Sequence, residues 1–320
     1  VTTLPSKTAF LAPTPCAHWQ IQPLAGDAST RSYDRLTGPD GQTAILMVAG
    51  PDAATSVPPF VAIAQHLTKL GLCAPTILAQ TDEPGYLLLS DLGRTDIAQH
   101  LAARPDDEHA LYSAAIDVLL ALHNSSPPEG LTRLTSELGA QMLDPLFEWF
   151  APATPSAQRQ RIEASITTGL AEHAGPANTL SLRDFHAENL IWRPHLTGTD
   201  RIGLLDFQDA FIAPSAYDLV SLLRDARRNV SDGTRRAAIA QFARGIGQDA
   251  ADVEAACAIL GLQRNLRILG IFARLAKRDG KAHYTALIPR VLGHIRADLE
   301  HPAAQDLRAT LAPALDTTAA

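Results

Sequence analysis

The sequence predicts an α+β fold in two lobes: a small, mostly antiparallel β-rich N-terminal lobe over residues 1–90 and a larger, mainly helical C-terminal lobe over residues 91–320. Three observations carry this. Short apolar runs bounded by Gly, Pro and Asp fill the first ninety residues, as in strands joined by tight turns. After Asp91-Leu92-Gly93 the apolar residues change to helical spacing. The length of 320 residues exceeds what one simple core needs and suits two lobes with a cleft between them, where ligand sites tend to lie.

Residues 18–24 read as a strand leading into the loop Gly26-Asp27-Ala28-Ser29-Thr30. Residues 31–36 and 43–49 flank the turn Thr37-Gly38-Pro39-Asp40-Gly41-Gln42 as a hairpin. A helix follows at 59–70: Val61, Ala64 and Leu67 share a face, Pro59 suits the first turn and Gly71 stops it. Residues 76–81 and 86–90 make a second hairpin through Asp82-Glu83-Pro84-Gly85. Beyond Asp91-Leu92-Gly93, which reads as a hinge, residues 106–123 place Leu111, Ala115, Val118 and Leu122 on one helix face, and further helices are expected at 136–150 and 156–174. Short strands return at 180–183, 190–192 and 202–205. From Pro214 the pattern is helical to the end, with Val253, Ala256, Cys257 and Leu260 at i, i+3, i+4 and i+7. The alanine-rich tail after Pro313 is expected to fray.

Composition narrows the function. Hydrophobic residues make up 46 % and charged residues 19 %, an ordinary globular balance. The net charge is −7 and no Lys/Arg-rich block stands out, so nucleic acid is not the expected partner. Cys16, Cys73 and Cys257 are scattered and odd in number, which argues against a disulfide framework or a zinc site. The N-terminal apolar stretch is broken by Pro13 and Pro15, unlike a signal peptide, and no run approaches the roughly 18 apolar residues a membrane span needs. The expectation is a cytoplasmic protein with no membrane partner, monomeric or weakly dimeric.

Two segments carry chemistry: Leu182-Arg183-Asp184-Phe185-His186-Ala187-Glu188-Asn189 and Gly203-Leu204-Leu205-Asp206-Phe207-Gln208-Asp209. Each acid follows a short apolar strand, a rigid place from which to present a side chain. Asp184, Asn189 and Asp206 offer two carboxylates and an amide oxygen, the hard ligands that suit Mg²⁺ shared with substrate phosphates. Protein kinases space an Asp, an Asn five residues on and an Asp-Phe in this way. On that pattern Asp184 orients or deprotonates an acceptor hydroxyl, while Asn189 and Asp206 hold the metal. Turn-capping is the plainer reading of any one of these acids taken alone.

The motif resembles that of the aminoglycoside phosphotransferase and choline kinase family: His-Gly-Asp-x-His-x-x-Asn, then Asp-Phe or Asp-Trp on the next strand. His186 matches the second histidine and is carried over as catalytic; Leu182 stands where the first usually is. The resemblance implies a bilobal protein-kinase-like fold over nearly the whole chain, with ATP and Mg²⁺ as cofactors and a small-molecule acceptor. It places adenine against backbone groups near Ser90 and Leu92, in Tyr86-Leu87-Leu88-Leu89-Ser90-Asp91-Leu92-Gly93. It makes Asp218, in Ala216-Tyr217-Asp218-Leu219, a brace for the catalytic loop. It sets Gly26, Ser29, Thr30 and Arg31 at the phosphate-loop position, though a plain β-turn accounts for those residues equally well.

One departure stands out. Kinases carry a Lys on the third strand for the nucleotide phosphates; residues 43–49 have none, with Met47 near that place, and the helix at 60–70 holds no Glu to pair with it. Arg31, Arg35 and His186 are the candidate replacements; otherwise catalysis is lost. The same departure, with Gly-Asp-Ala-Ser-x-Arg-x-Tyr over 26–33, Leu-Asp-Phe-Gln-Asp-Ala over 205–210 and Tyr-Asp-Leu-Val-Ser-Leu-Leu-Arg-Asp over 217–225, resembles the anomeric amino-sugar kinases of bacterial cell-wall recycling. Those enzymes phosphorylate the 1-hydroxyl of N-acetylmuramate and N-acetylglucosamine. Two alternatives stay open: an aminoglycoside, choline or homoserine-type O-phosphotransferase, and a nucleotide-binding regulator without catalysis. Arg224, Asp225, Arg227 and Arg228 read either as acceptor contacts or as a solvated helix face.

Overall fold

The structure, a computed structural model, describes residues 6–24, 31–81 and 85–316. In chain order the elements are α1 (Lys7–Leu11), β1 (Gln20–Leu24), β2 (Arg31–Thr37), β3 (Thr43–Ala49), α2 (Val57–Lys69), β4 (Ile77–Gln80), β5 (Tyr86–Ser90), α3 (Ile97–Ala103), α4 (Glu108–His123), α5 (Ser136–Gln141) and α6 (Ser156–His173). Then come β6 (Ala177–Ser181), β7 (Leu190–Trp192), β8 (Ile202–Leu204), β9 (Phe211–Pro214), α7 (Tyr217–Leu223), α8 (Asp232–Ile246), α9 (Ala250–Lys277), α10 (Ile288–Leu299) and α11 (Gln305–Asp316). The fold is α+β, and the chain divides into two compact units: residues 1–100 with 188–210, and residues 101–187 with 211–320.

The first unit is built on an antiparallel sheet of order β1-β2-β3-β5-β4. Strand side chains alternate between faces, so register decides what each face carries. Leu36, Ala44, Leu46 and Leu88 fall on one face and bury against Phe10 and Leu11 of α1. The other face takes Tyr33 opposite Met47, Arg35 opposite Ile45, and Ile45 opposite Leu89. The hairpin β7–β8 belongs to this unit and is tied to it by Leu204 N–H donating to the Cys73 carbonyl at 2.8 Å and Trp192 N–H to that of Thr95 at 2.9 Å.

The second unit is helical apart from the β6–β9 pair. Its core gathers Ile162, Ile166, Ile259, Leu262, Leu266 and Leu269 around α9. Gly270 lets α9 lie against the turn before it: a Cβ there would stand 2.1 Å from the Pro145 carbonyl carbon. By length and composition α9 is apolar enough to cross a membrane, which the expectation of no such run overlooked; 72 % of its apolar window is buried inside the protein.

Four details depart from the sequence reading. Residues 211–214, of which only Pro214 was assigned, to the start of the helical region, form β9 and pair with β6. Helix α5 stops at Gln141 and, after a turn at 142–143, residues 146–150 form a π-helical turn, where one helix was expected over 136–150. Helices α1 and α3 lacked sequence signals long enough to announce them. The chain after Pro313 continues α11 as far as Asp316 rather than fraying at once.

Candidate active site

In the first unit a cavity of about 480 Å³ opens on the second face of the sheet, lined by Tyr33, Ile45, Phe60, Leu89 and Leu92, with Asn189 and Asp206 among its polar groups. Its volume lies in the range of small-molecule pockets. The hinge segment beside it is fixed from two sides. Thr76 N–H donates to Ser90 Oγ at 2.8 Å and Ser90 N–H to the Thr76 carbonyl at 2.9 Å. Arg35 forks onto Asp91, with Nε to Oδ2 at 2.7 Å and Nη2 to Oδ1 at 3.2 Å, and reaches the Gly93 carbonyl at 3.0 Å. Leu92 packs so closely on Gly203 that a Cβ there would meet its Cδ1 at 3.0 Å.

The two oxygen donors sit side by side on the β7–β8 hairpin. Leu190 pairs with Leu204, and Leu205 N–H donates to the Asn189 carbonyl at 3.0 Å, so Asp206 emerges one residue beyond Asn189's partner. Asp206 holds a left-handed backbone, φ +57°, a conformation Asp tolerates better than most residues. Phe207 anchors the turn by stacking on Phe60 at 4.9 Å. A half-exposed carboxylate beside an amide oxygen fits a hard divalent cation whose other ligands are water and phosphate. An all-protein cage is a different arrangement, and among the described residues no group of three or more His, Cys, Asp or Glu forms one.

Arg31 lies on this acid: Nη2 donates to Asp206 Oδ1 at 3.2 Å and Nη1 to Gln208 Oε1 at 3.0 Å. It shares a sheet face with Tyr33 and Met47, one strand over from the place where the sequence lacks a lysine. Arg35 is committed to Asp91. His186 cannot supply a cation: burial, then the neighbouring Arg227, push its pKa down to about 3, so the imidazole is neutral near pH 7. Gly26, Ser29 and Thr30 lie outside the described residues.

In the second unit Asp184 is presented by a tightly held loop. Asp218, at the start of α7, is buried and accepts from Ser181 Oγ at 2.7 Å, Leu182 N–H at 2.6 Å and Arg183 N–H at 3.0 Å. Burial pushes its pKa up to about 6, and these donors, Ser181 first, work against that shift. Arg183 has a left-handed backbone, φ +71°, and its carbonyl is pinned by Arg264 at 2.8 Å and Ser221 at 3.2 Å. Such strain persists where surrounding bonds over-determine it. Arg264 Nη2 also stands 3.6 Å from Asp184 Oδ1.

Sequence reasoning missed Arg264. The available signal was the polar run Gln263-Arg264-Asn265 inside an otherwise apolar stretch of α9, where all three are buried. The group at 224–228 is not a solvated helix face. Helix α7 ends at Leu223, Arg224 donates to Asp298 at 2.9 Å, Arg228 pairs with Glu108 at 3.7 Å, and Arg227 meets the His186 ring at 3.4 Å.

Known proteins resemble this chain in sequence and in fold. Residues 20–258 match the model of the phosphotransferase enzyme family. An N-acetylmuramate/N-acetylglucosamine kinase of Caulobacter vibrioides is 35 % identical, with 95 % of this chain and 94 % of that protein covered. A protein of the same name from Neisseria meningitidis serogroup B is 34 % identical, with 85 % and 83 % covered. Among solved structures, a choline/ethanolamine kinase family protein from Mesorhizobium loti superposes with a TM-score of 0.66 at 17 % identity, over 95 % of this chain and 97 % of that one. An amicoumacin kinase solved with AMP-PNP and Ca²⁺ gives 0.60 at 16 % identity, over 89 % of each chain. With the family model matching three quarters of its length and a relative aligned nearly end to end, the chain belongs to the phosphotransferase enzyme family and is a kinase.

Proposed function

We propose that this kinase transfers the γ-phosphate of ATP, with Mg²⁺, to the anomeric 1-hydroxyl of N-acetylmuramate and N-acetylglucosamine. The observation that carries the acceptor class is the near end-to-end match to a relative bearing that name. The 1-position is supported by the resemblance of residues 26–33, 205–210 and 217–225 to the anomeric amino-sugar kinases.

In this reading the cavity beside Ser90 and Leu92 takes the nucleotide base, and Asn189 and Asp206 hold the metal. Mg²⁺, when bound, neutralises phosphate charge. Arg31, adjoining Asp206, takes the part of the absent third-strand lysine. Asp184 accepts the proton of the acceptor hydroxyl as its oxygen bonds to the γ-phosphorus; the bond from that phosphorus to the β–γ bridging oxygen breaks, and ADP leaves. Asp218 and Arg264 keep Asp184 in place.

An ADP-release assay with ATP and Mg²⁺ against N-acetylmuramate, N-acetylglucosamine, kanamycin, choline and homoserine tests this. Turnover confined to the two amino sugars, and lost by about 10²–10⁴-fold in Asp184→Asn, is expected. Turnover on another acceptor replaces the substrate. Nucleotide binding without turnover on any acceptor supports the non-catalytic regulator that the missing lysine, with Met47 near its place, would favour.

A further inference from the structure

Asp184 lies among three arginines, and only one of them is accounted for. Arg264 is occupied by the Arg183 carbonyl, by Tyr217 and by Asp184 itself. Arg267 follows one turn later on α9, and Arg183 immediately precedes Asp184 in the loop. Among the described residues neither the Arg183 nor the Arg267 guanidinium donates a side-chain hydrogen bond or pairs with a carboxylate; Arg183 does stand over the Phe211 ring, 5.9 Å from its centre. Both positions are costly to fill with arginine. Arg183 occupies a left-handed conformation that glycine adopts without penalty. Arg267 is half-buried, and desolvation together with Arg183 and Arg264 pulls its pKa down to about 10. Of the nearby acids, Asp218 is spent on the loop backbone. Asp184 attracts Arg267 but already faces Arg264, so one carboxylate stands against three guanidinium groups, and that surplus of like charge makes an anion subsite.

Two anions come near Asp184 in the proposed reaction: the transferred phosphoryl group, and the carboxylate that N-acetylmuramate carries on its lactyl ether and N-acetylglucosamine lacks. The arginines lie beside the residue that takes the acceptor hydroxyl, in the unit that does not contain Asn189 and Asp206. We infer that Arg183 and Arg267 read the acceptor's carboxylate and set the preference for N-acetylmuramate over N-acetylglucosamine. This inference rests on the amino-sugar kinase reading above.

The test is steady-state kinetics on both acceptors for the wild type, Arg267→Gln and Arg183→Gly; the glycine variant suits the left-handed backbone and so keeps the loop intact. Each variant is expected to lower the ratio of kcat/KM for N-acetylmuramate to that for N-acetylglucosamine by about tenfold or more, as loss of a charge-assisted bidentate contact would. An unchanged ratio in folded variants overturns the subsite. Equal losses on both acceptors, with a raised KM for ATP, also overturn it and hand the arginines to the phosphoryl group. A wild type that turns over neither sugar overturns the kinase reading and takes the subsite with it.

Discussion

Three hydrogen bonds converge on Asp218, which makes it the residue through which Asp184 can be disturbed without being touched. Asp218→Asn puts an amide NH₂ where one of these donors now points, leaving buried groups unsatisfied, and is expected to cost about 2–4 kcal/mol of stability in urea unfolding. It should also lower kcat, because the strained Arg183 turn relaxes. Unchanged stability would show that the carboxylate charge is not what holds the loop. Asp184, Asn189 and Asp206 could be named from spacing, since polar groups at strand ends leave local marks, and Asp218 from the family resemblance. Arg264 could not: it approaches Asp184 from a helix eighty residues away, and nothing local in its sequence says where that helix packs.

At the scale of elements, the hinge depends on one arginine crossing from β2. Arg35→Met removes the fork onto Asp91, whose side chain is buried, and the bond to the Gly93 carbonyl. The expected result is a KM for nucleotide raised by about tenfold with a smaller change in kcat, and a loss of about 3 kcal/mol from the unpaired acid. Calorimetric nucleotide binding equal to wild type would remove the hinge from the account. Strands β3 and β5 were legible as short apolar runs between clear turn signals, and β2 as the other arm of the hairpin with β3. β9 was not: Phe211-Ile212-Ala213-Pro214 is too short a run to tell strand from helix, and only its pairing with β6 decides the matter.

For the whole molecule, local patterns cannot say that residues 188–210 group with the first hundred; the bonds from Leu204 to Cys73 and from Trp192 to Thr95 do that. Stability against pH is also a property at this scale. Unfolded, the His186 imidazole takes a proton below its ordinary 6.5; folded, burial and Arg227 hold it neutral until about 3. Between those values the unfolded state binds more protons, so this contribution is present above about 6.5 and is lost as pH falls. Asp218 and Asp298, both pushed up to about 6 by burial, act in the opposite sense below that pH. A difference measurement separates them: relative to His186→Gln, the wild type is expected to lose about 1.4 kcal/mol per pH unit below 6.5, read from urea midpoints at pH 5 and 7. Parallel profiles would mean that His186 is protonated in the fold.

³¹P NMR of the product formed from N-acetylglucosamine reads the position of the transferred phosphate directly. Transfer to the anomeric hydroxyl gives one new phosphomonoester resonance coupled to the anomeric proton, absent with Asp184→Asn. A phosphate coupled to the C6 methylene protons, or no product while ATP is bound, would contradict it.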